Sequence, residues 1–272
     1  MSSAPVGIFD SGIGGLTVAR AIQDLLPGES TVYLGDTARV PYGPKSPATV
    51  RRYSREILEW LLDQRVKAVV VACNTATAHA LDSLRAISPV PVIGVIEPGA
   101  RAAVAATRSG RIGVIGTAGT IASGAYDRAL RALRNDLVVA GQPCPLFVPL
   151  VEEGWFDRPA TRLVAEEYLA SLRGDDVDVL VLGCTHYPLL APLLGDVMGS
   201  GVALIDSARE TARELAARLE SAGLAAPVDA TPSHRWAATD DVARFARVGA
   251  VFGGRRPENV ALVELGAETA LS

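Results

Sequence analysis

Short apolar runs alternate with longer amphipathic segments along the whole chain, and this alternation limits the fold more than any other feature. The runs have the length of buried strands, and the segments between them have the spacing of helices. This order is typical of βαβ units, in which helices cover both faces of a parallel sheet. We therefore predict an α/β fold with doubly wound, mostly parallel sheets. The predicted strands are residues 6–10, 31–35, 68–73, 92–96, 111–116, 145–149, 179–184 and 202–206, and the predicted helices are residues 15–26, 49–64, 75–87, 120–133, 158–172 and 188–198.

Three motifs of the first part of the chain return in the same order in the second part. They pair residues 6–15 with 112–120, 69–75 with 180–186, and 92–97 with 202–206. This order predicts two similar α/β domains with the active site in the cleft between them, although chance similarity among strands is the alternative. A predicted helix at 208–222 and a strand–helix–strand pattern ending near Glu264 have no counterpart, so we expect them to pack on the edge of the first domain. The predicted domains are residues 1–97 with 208–272, and residues 98–207.

The charge balance argues against several kinds of partner. The 272 residues include 26 basic and 30 acidic side chains, so there is no basic excess to bind nucleic acid. A charged residue interrupts every apolar stretch before the roughly 18 residues that a membrane span needs. The first ten residues lack the features of a signal peptide. We expect a soluble, cytoplasmic protein with no nucleic-acid or membrane partner.

The sequence contains no clear motif for a metal or a cofactor. Three cysteines without a CxxC pair and three scattered histidines suggest neither a disulfide framework nor a zinc site. The glycine-rich turn at 12–15 has Thr17 where a dinucleotide motif needs glycine. Neither Lys45 nor Lys67 suits the Schiff base of pyridoxal phosphate. We expect no metal and no cofactor, and we expect the glycine-rich turn to bind a small anion such as a carboxylate.

Two cysteines occupy equivalent places at the predicted carboxyl ends of strands, where ligands of parallel sheets collect. Cys73 and Cys184 each end a strand and open a helix, and the helix N-terminus is expected to lower the pKa of each thiol. Facing each other across a cleft, they would put a thiolate on one side of a substrate and a thiol on the other. This arrangement suits inversion of a stereocentre. A buried structural role is the alternative for either cysteine, and we assign that role to Cys144, near the start of predicted strand 145–149.

Three acidic or basic groups are predicted on the same rim. Asp10 follows a buried strand and could accept a substrate ammonium or assist a thiol, because a carboxylate at such a place rarely serves packing. His186 lies two residues after Cys184 and could orient or protonate the site, with a structural role as the alternative. Glu152 and Glu153 follow predicted strand 145–149, and either could serve there unless both are solvated surface groups.

Five blocks of the sequence resemble, in order, the signature blocks of the glutamate racemases, within the aspartate/glutamate racemase family. They are Asp10-Ser-Gly-Ile-Gly-Gly-Leu16, Pro41-Tyr-Gly43, Cys73-Asn-Thr-Ala76, Gly116-Thr117 with Thr120, and Gly183-Cys-Thr-His-Tyr-Pro-Leu189. The resemblance runs from about Val6 to Ser207 and is looser beyond. It implies cofactor-independent interconversion of L- and D-glutamate by a two-base, two-cysteine mechanism, which supplies D-glutamate for peptidoglycan and so for cell-wall biogenesis and cell shape.

The resemblance also implies a role for individual residues. Cys73 would exchange a proton with D-glutamate and Cys184 with L-glutamate. Asp10 would assist Cys73, whereas His186 and Glu152 would assist Cys184. The residues implied to hold the amino acid are Asp10, Ser11, Tyr42, Gly43, Asn74, Thr75, Thr117, Thr120, Thr185 and His186. Family members often form dimers, so a homodimer is a further expectation.

Three other functions fit parts of the pattern. A racemase for aspartate or another amino acid would use the same two thiols, because the mechanism does not specify chain length. A thiol hydrolase or decarboxylase would need only one of Cys73 and Cys184. A non-catalytic amino-acid-binding protein would bind its ligand without exchanging the α-hydrogen.

Overall fold

The computed structural model describes residues 1–266, which form two parallel sheets covered by helices. The strands are β1 (Val6–Asp10), β2 (Thr31–Gly35), β3 (Ala68–Val71), β4 (Val92–Gly94), β5 (Arg111–Gly116), β6 (Val138–Pro143), β7 (Val179–Gly183), β8 (Ala203–Ile205), β9 (His234–Ala238) and β10 (Ala261–Leu262). The helices are α1 (Leu16–Leu25), α2 (Pro47–Asp63), α3 (Asn74–Ile87), α4 (Ile96–Ala106), α5 (Ala118–Ala122), α6 (Ala125–Leu133), α7 (Phe147–Glu152), α8 (Pro159–Gly174), α9 (Ala191–Met198), α10 (Ser207–Ser221) and α11 (Val242–Gly253), with a 3₁₀ turn at Tyr187–Leu190. The predicted α/β class is confirmed.

The two sheets are built from different parts of the chain. The first has the order β10-β9-β2-β1-β3-β4, and the second has the order β6-β5-β7-β8. The C-terminal strand β9 pairs with β2, with His234 opposite Thr31, so this segment extends the edge of the first sheet as the sequence predicts. The domain boundaries stay a prediction, and residues 267–272 of the predicted first domain lie outside the described residues.

The central strands carry polar residues into the interior of the molecule. All five residues of β1 and of β7 are buried, as expected of strands covered on both faces. Because β1 lies beside β3 and β5 lies beside β7, the polar residues that follow these strands collect at one edge of each sheet. Asp10 and Cys73 therefore lie at the carboxyl ends of the strands in the first sheet. Thr117 and Cys184 lie at the carboxyl ends of the strands in the second sheet.

The predicted strand at 145–149 is wrong, because the strand lies earlier and a helix follows. β6 ends at Pro143, and the Cys144 N–H donates the last bond, 2.8 Å long, to the Gly116 carbonyl. Pro143 and Pro145 have no N–H to continue the ladder. A short apolar run does not by itself distinguish a strand from a helix, and Phe147 packs as the first residue of α7. Cys144 consequently follows a strand instead of preceding one.

Two helices also differ from the prediction. Helix α4 begins at Ile96, inside predicted strand 92–96, and Pro98 in its first turn is compatible with a helix start. The predicted helix at 120–133 is divided into α5 and α6 at Gly124, whose φ is 64°. Within residues 1–266, no helix combines the length and apolar character needed to cross a membrane.

Candidate active site

The strand ends of the two sheets meet across a cleft. The Thr75 hydroxyl lies 2.9 Å from the Thr117 hydroxyl of the other sheet. The turn before α1 packs so closely on the turn after β7 that a Cβ atom at Gly14 would overlap Thr185 Oγ1 and lie 2.5 Å from His186 Nδ1. The cleft therefore brings the two predicted thiol sites into one region.

Cys73 caps α3 and is buried beside Ser11. Its Sγ accepts the Ala76 N–H at 3.4 Å and lies 3.6 Å from Ser11 Oγ. Burial raises the pKa of the Cys73 thiol to about 11, and the neighbouring Asp10 carboxylate acts in the same direction. The predicted lowering by the helix N-terminus is wrong, because these hydrogen bonds do not offset the loss of water.

Cys184 is the equivalent buried thiol on the other side. Its Sγ lies 3.9 Å from His186 Nδ1. Burial raises the pKa of Cys184, and the charges of Cys73 and Asp10 raise it further, so the predicted lowering is wrong here also. Cys73 and Asp10 raise the pKa of Cys184 because their negative charges lie in the same cleft.

Asp10 ends β1 with one carboxylate oxygen still available. Its Oδ2 accepts the Gly12 N–H at 2.9 Å, whereas Oδ1 accepts no hydrogen bond within residues 1–266. Burial raises the pKa of Asp10 although the His186 charge lowers it. A buried oxygen without a partner is costly, so this atom is suited to receive a ligand donor.

His186 connects Cys184 to an acidic group. Its Nε2 lies 3.1 Å from Glu152 Oε1, and Arg244 donates to Glu152 Oε2 at 3.0 Å. Burial raises the pKa of Glu152, but the hydrogen bonds and charges of His186 and Arg244 outweigh it and leave the pKa lowered. Glu152 ends α7 and does not follow a strand as predicted, and its neighbour Glu153 is exposed.

Neutral donors line the rest of the cleft. The hydroxyls of Thr75, Thr117 and Thr120 form a triangle with sides of 2.9, 3.1 and 3.0 Å. The Gly43 carbonyl accepts the Gly119 N–H across the cleft at 2.9 Å. Thr185 Oγ1 lies 3.4 Å from His186 Nδ1.

Two of the predicted binding residues are themselves held by partners that the sequence analysis missed. Asn74 Oδ1 accepts the Tyr126 hydroxyl at 2.7 Å, and the Tyr42 hydroxyl donates to the buried Asp36. Asp36 follows β2 directly, so the strand-end rule that selected Asp10 could have found it. No local pattern points to Tyr126, which lies inside α6, or to Arg244.

Other strand-end groups serve structural roles. Asp206 caps α10 by accepting the Ala208 N–H at 2.9 Å. Cys144 is buried near the end of β6, where its Sγ lies 3.6 Å from the Gln142 carbonyl. Within the described part of the chain, no group of three or more histidine, cysteine, aspartate or glutamate side chains could hold a metal ion.

Two α/β halves that each bring a buried thiol to a shared cleft define an enzyme of the α/β class with a site for a small molecule. Residues 16–215 match a family model described as Asp/Glu/Hydantoin racemase. The chain therefore belongs to the Asp/Glu/Hydantoin racemase family, and it is a racemase.

Individual relatives cover nearly the whole chain. A glutamate racemase of Geobacter metallireducens is 53% identical over 97% of both chains, and one of Neisseria meningitidis is 48% identical over 96% of this chain and 97% of its own. Among solved structures, a glutamate racemase of Bacillus anthracis has a TM-score of 0.93 and 42% identity, covering 97% of this chain and 98% of its own. One from Francisella tularensis, in complex with D-glutamate, has a TM-score of 0.92 and 35% identity, covering 98% and 100%.

Proposed function

We propose that this racemase interconverts L- and D-glutamate without a cofactor, with Cys73 and Cys184 as the two bases. The observation that carries the proposal is a buried thiol on each side of one cleft, each with its own neighbouring acid or base. Support for glutamate comes from relatives of about 50% identity that are glutamate racemases, and from the similar structure with D-glutamate bound. An aspartate racemase of Picrophilus torridus has a similar fold, with a TM-score of 0.56 and 20% identity.

In the proposed reaction, a proton leaves one face of the α-carbon and another arrives on the opposite face. The Cys184 thiolate takes the α-proton of L-glutamate, and the Cys73 thiol then donates a proton to the resulting carbanion. The product is D-glutamate, with a thiol at Cys184 and a thiolate at Cys73. The reverse reaction uses the same atoms in the opposite order, so no redox partner is required.

The site must first form a thiolate against the effect of burial. With the pKa of Cys73 at about 11, ionisation at pH 7 costs on the order of 5 kcal/mol. The α-ammonium group of a bound amino acid would offset part of this cost, because it places a positive charge next to the thiolate and to Asp10 Oδ1. Asp10 beside Cys73 and His186 beside Cys184 are the groups proposed to hold the displaced protons.

The carboxylates are proposed to bind to neutral donors. The residues concerned are Ser11, Tyr42, Gly43, Asn74, Thr75, Thr117, Thr120 and Thr185. In the described structure the three threonine hydroxyls bond to one another, so they must turn towards the ligand when it binds. Donors held in place around the carboxylate stabilise the charge that develops there, and exclusion of water strengthens that effect.

The biological role follows from the product. We infer that the enzyme supplies D-glutamate for peptidoglycan in the cytoplasm. We also propose, as a separate point, that it forms a homodimer. Sedimentation of the purified protein would test the homodimer.

The test is proton NMR of L- and D-glutamate in D₂O with purified protein and no added cofactor. Loss of the α-proton signal from both enantiomers, with optical rotation decaying to zero, is expected. Cys73→Ser and Cys184→Ser should each slow racemisation by at least about a hundredfold, the scale of a lost general base. Cys144→Ser is the matched control and should remain active.

Other outcomes would identify a different function. Exchange with aspartate but not glutamate would keep the mechanism and change the substrate. A requirement for only one of Cys73 and Cys184 would favour a thiol hydrolase or decarboxylase. Binding without exchange would favour an amino-acid-binding protein, and it would overturn the proposed reaction.

A further inference from the structure

Helix α11 contacts the His186–Glu152 pair at two points. Arg244 Nη2 donates to Glu152 Oε2 at 3.0 Å, and the Phe252 ring meets the His186 ring edge to face at a centroid distance of 5.0 Å. The segment that contains α11 joins the first sheet through β9, whereas Glu152 and His186 come from the part of the chain that forms the second sheet. One half of the molecule therefore holds the acid–base pair of the other.

Both carboxylate oxygens of Glu152 have a partner. Oε1 faces His186 Nε2 and Oε2 accepts from Arg244, so the carboxylate joins a cation to the imidazole. With Nε2 occupied in this way, Nδ1 is the ring atom that faces Cys184 Sγ, at 3.9 Å. A histidine nitrogen held by a carboxylate has its orientation and tautomer set by that contact.

The place of Arg244 in its helix is unfavourable for a cation. It is the third residue of α11, near the positive end of the helix dipole, where a positive side chain is disfavoured. Its backbone N–H donates to the capping Asp241 side chain at 2.9 Å, but the guanidinium extends to Glu152. Within residues 1–266, Glu152 is the only carboxylate within 4 Å of that guanidinium.

We propose that Arg244 is a positioning residue for the Cys184 side of the reaction, acting through Glu152 and His186. This inference rests on the proposed function, because it assigns Cys184 to L-glutamate. Arg244 contacts neither thiol and is not proposed to contact the substrate. Without it, Glu152 and His186 lose one constraint, and proton transfer at Cys184 slows while transfer at Cys73 does not.

Kinetic isotope effects distinguish the two thiols. In the Arg244→Met variant we expect kcat/KM to fall about twofold to fivefold, the scale of a partly exposed ion pair. The fall must be equal in both directions, because the two enantiomers have the same free energy. The α-deuterium isotope effect on kcat/KM should nevertheless rise for L-glutamate, whose proton goes to Cys184, and fall for D-glutamate, whose proton goes to Cys73.

Two further variants serve as controls. Arg247→Met removes an exposed arginine from the same helix and should change neither the rate nor the isotope effects. Arg244→Lys keeps the charge and should recover at least part of the lost rate. Thermal unfolding of all variants reports whether the fold is intact.

A double variant tests whether Arg244 acts through Glu152. Arg244→Met should cause no further loss when it is added to Glu152→Gln. An equal loss in both backgrounds would overturn the proposal, as would unchanged isotope effects in Arg244→Met. If the wild-type enzyme does not racemise glutamate, the proposed function fails instead, before any variant is compared.

Discussion

At the scale of single residues, burial decides the chemistry of the two thiols. Cys73 receives the Ala76 N–H and lies near the Ser11 hydroxyl, and both contacts lower its pKa, yet the thiol still has a pKa of about 11. Removing the thiolate charge from water costs more than these weak contacts to sulfur return. The predicted place of Cys73 at a helix start is confirmed, whereas Cys184 lies three residues before the 3₁₀ turn at Tyr187–Leu190 and does not open a helix. The predicted direction of the pKa shift was wrong for both thiols.

The alkylation rate of Cys73 tests this shift directly. In the Cys144→Ser, Cys184→Ser variant, the rate with iodoacetamide should rise with pH towards a midpoint near 11, well above the value of about 8.5 for a free thiol. A midpoint below 8.5 would show instead that the helix N-terminus outweighs burial.

The same shift predicts how stability depends on pH. The pKa of Cys73 is higher in the folded state than in the unfolded state. The contribution of the neutral thiol to the free energy of unfolding is therefore complete below about pH 8.5, and it is lost as the pH rises through about 11. Urea unfolding between pH 7 and 11 measures the trend, and Cys73→Ala should reduce it.

At the scale of elements, the turn between β1 and α1 is an active-site wall. Gly14 lies against Thr185 and His186, and Gly15 lies against Asp10, with no room for a Cβ atom at either glycine. Glycine is needed at residue 14 because the side chains of Thr185 and His186, which follow β7 of the second sheet, fill the space that a Cβ atom would occupy.

Substitution of Gly14 should therefore damage the site more than the fold. Gly14→Ala is expected to displace His186 and reduce kcat/KM by about a hundredfold, the scale of an ångström of misplacement. The control is Gly28→Ala, where an added Cβ would meet no atom within 4 Å. Equal activity of the two variants in a racemase assay would contradict this role for Gly14.

A buried ion pair and its hydrogen bonds connect four loop segments at the other end of the first sheet. Lys67 Nζ, before β3, lies 2.6 Å from Glu29 Oε2, and both side chains are at most 5% exposed. Lys67 also donates to the Ser2 carbonyl at 2.7 Å, and Glu29 Oε1 accepts the Ala226 N–H at 2.7 Å.

Removal of one member of this pair should destabilise the protein strongly. Lys67→Ala leaves a buried carboxylate without its cation and should lower the free energy of unfolding by about 3 kcal/mol in urea titrations. The exposed pair of Arg55 with Glu59 provides the comparison, since Arg55→Ala should cost less than about 1 kcal/mol. A similar loss in both variants would mean that burial of the pair does not matter.

At the scale of the whole molecule, contacts across the cleft connect the two sheets at its rim. They include Thr75 with Thr117, Gly43 with Gly119, and Arg244 with Glu152. A ligand between the halves must enter past these contacts, so we expect the cleft to open and close during turnover.

Hydrogen exchange tests this motion. Saturating D-glutamate should slow amide exchange on both sides of the cleft, in peptides spanning residues 41–44 and 116–121, while α8 on the outside stays unchanged. D-Leucine, which lacks the second carboxylate, is the control ligand and should protect neither peptide. Protection on one side only would contradict closure around the ligand.

The sequence alone determined the α/β class, the bounds of β1, β2 and β5, and the strand-end positions of Cys73, Cys184 and Asp10. These features depend on patterns within a few neighbouring residues and on the rule that carboxyl ends of parallel strands share an edge. Tertiary structure alone decided the direction of the thiol pKa shifts, because burial depends on atoms from many segments. It also decided that residues 147–152 form a helix, and it brought Arg244 to Glu152, 92 residues away in the chain, where no local pattern could reveal the contact.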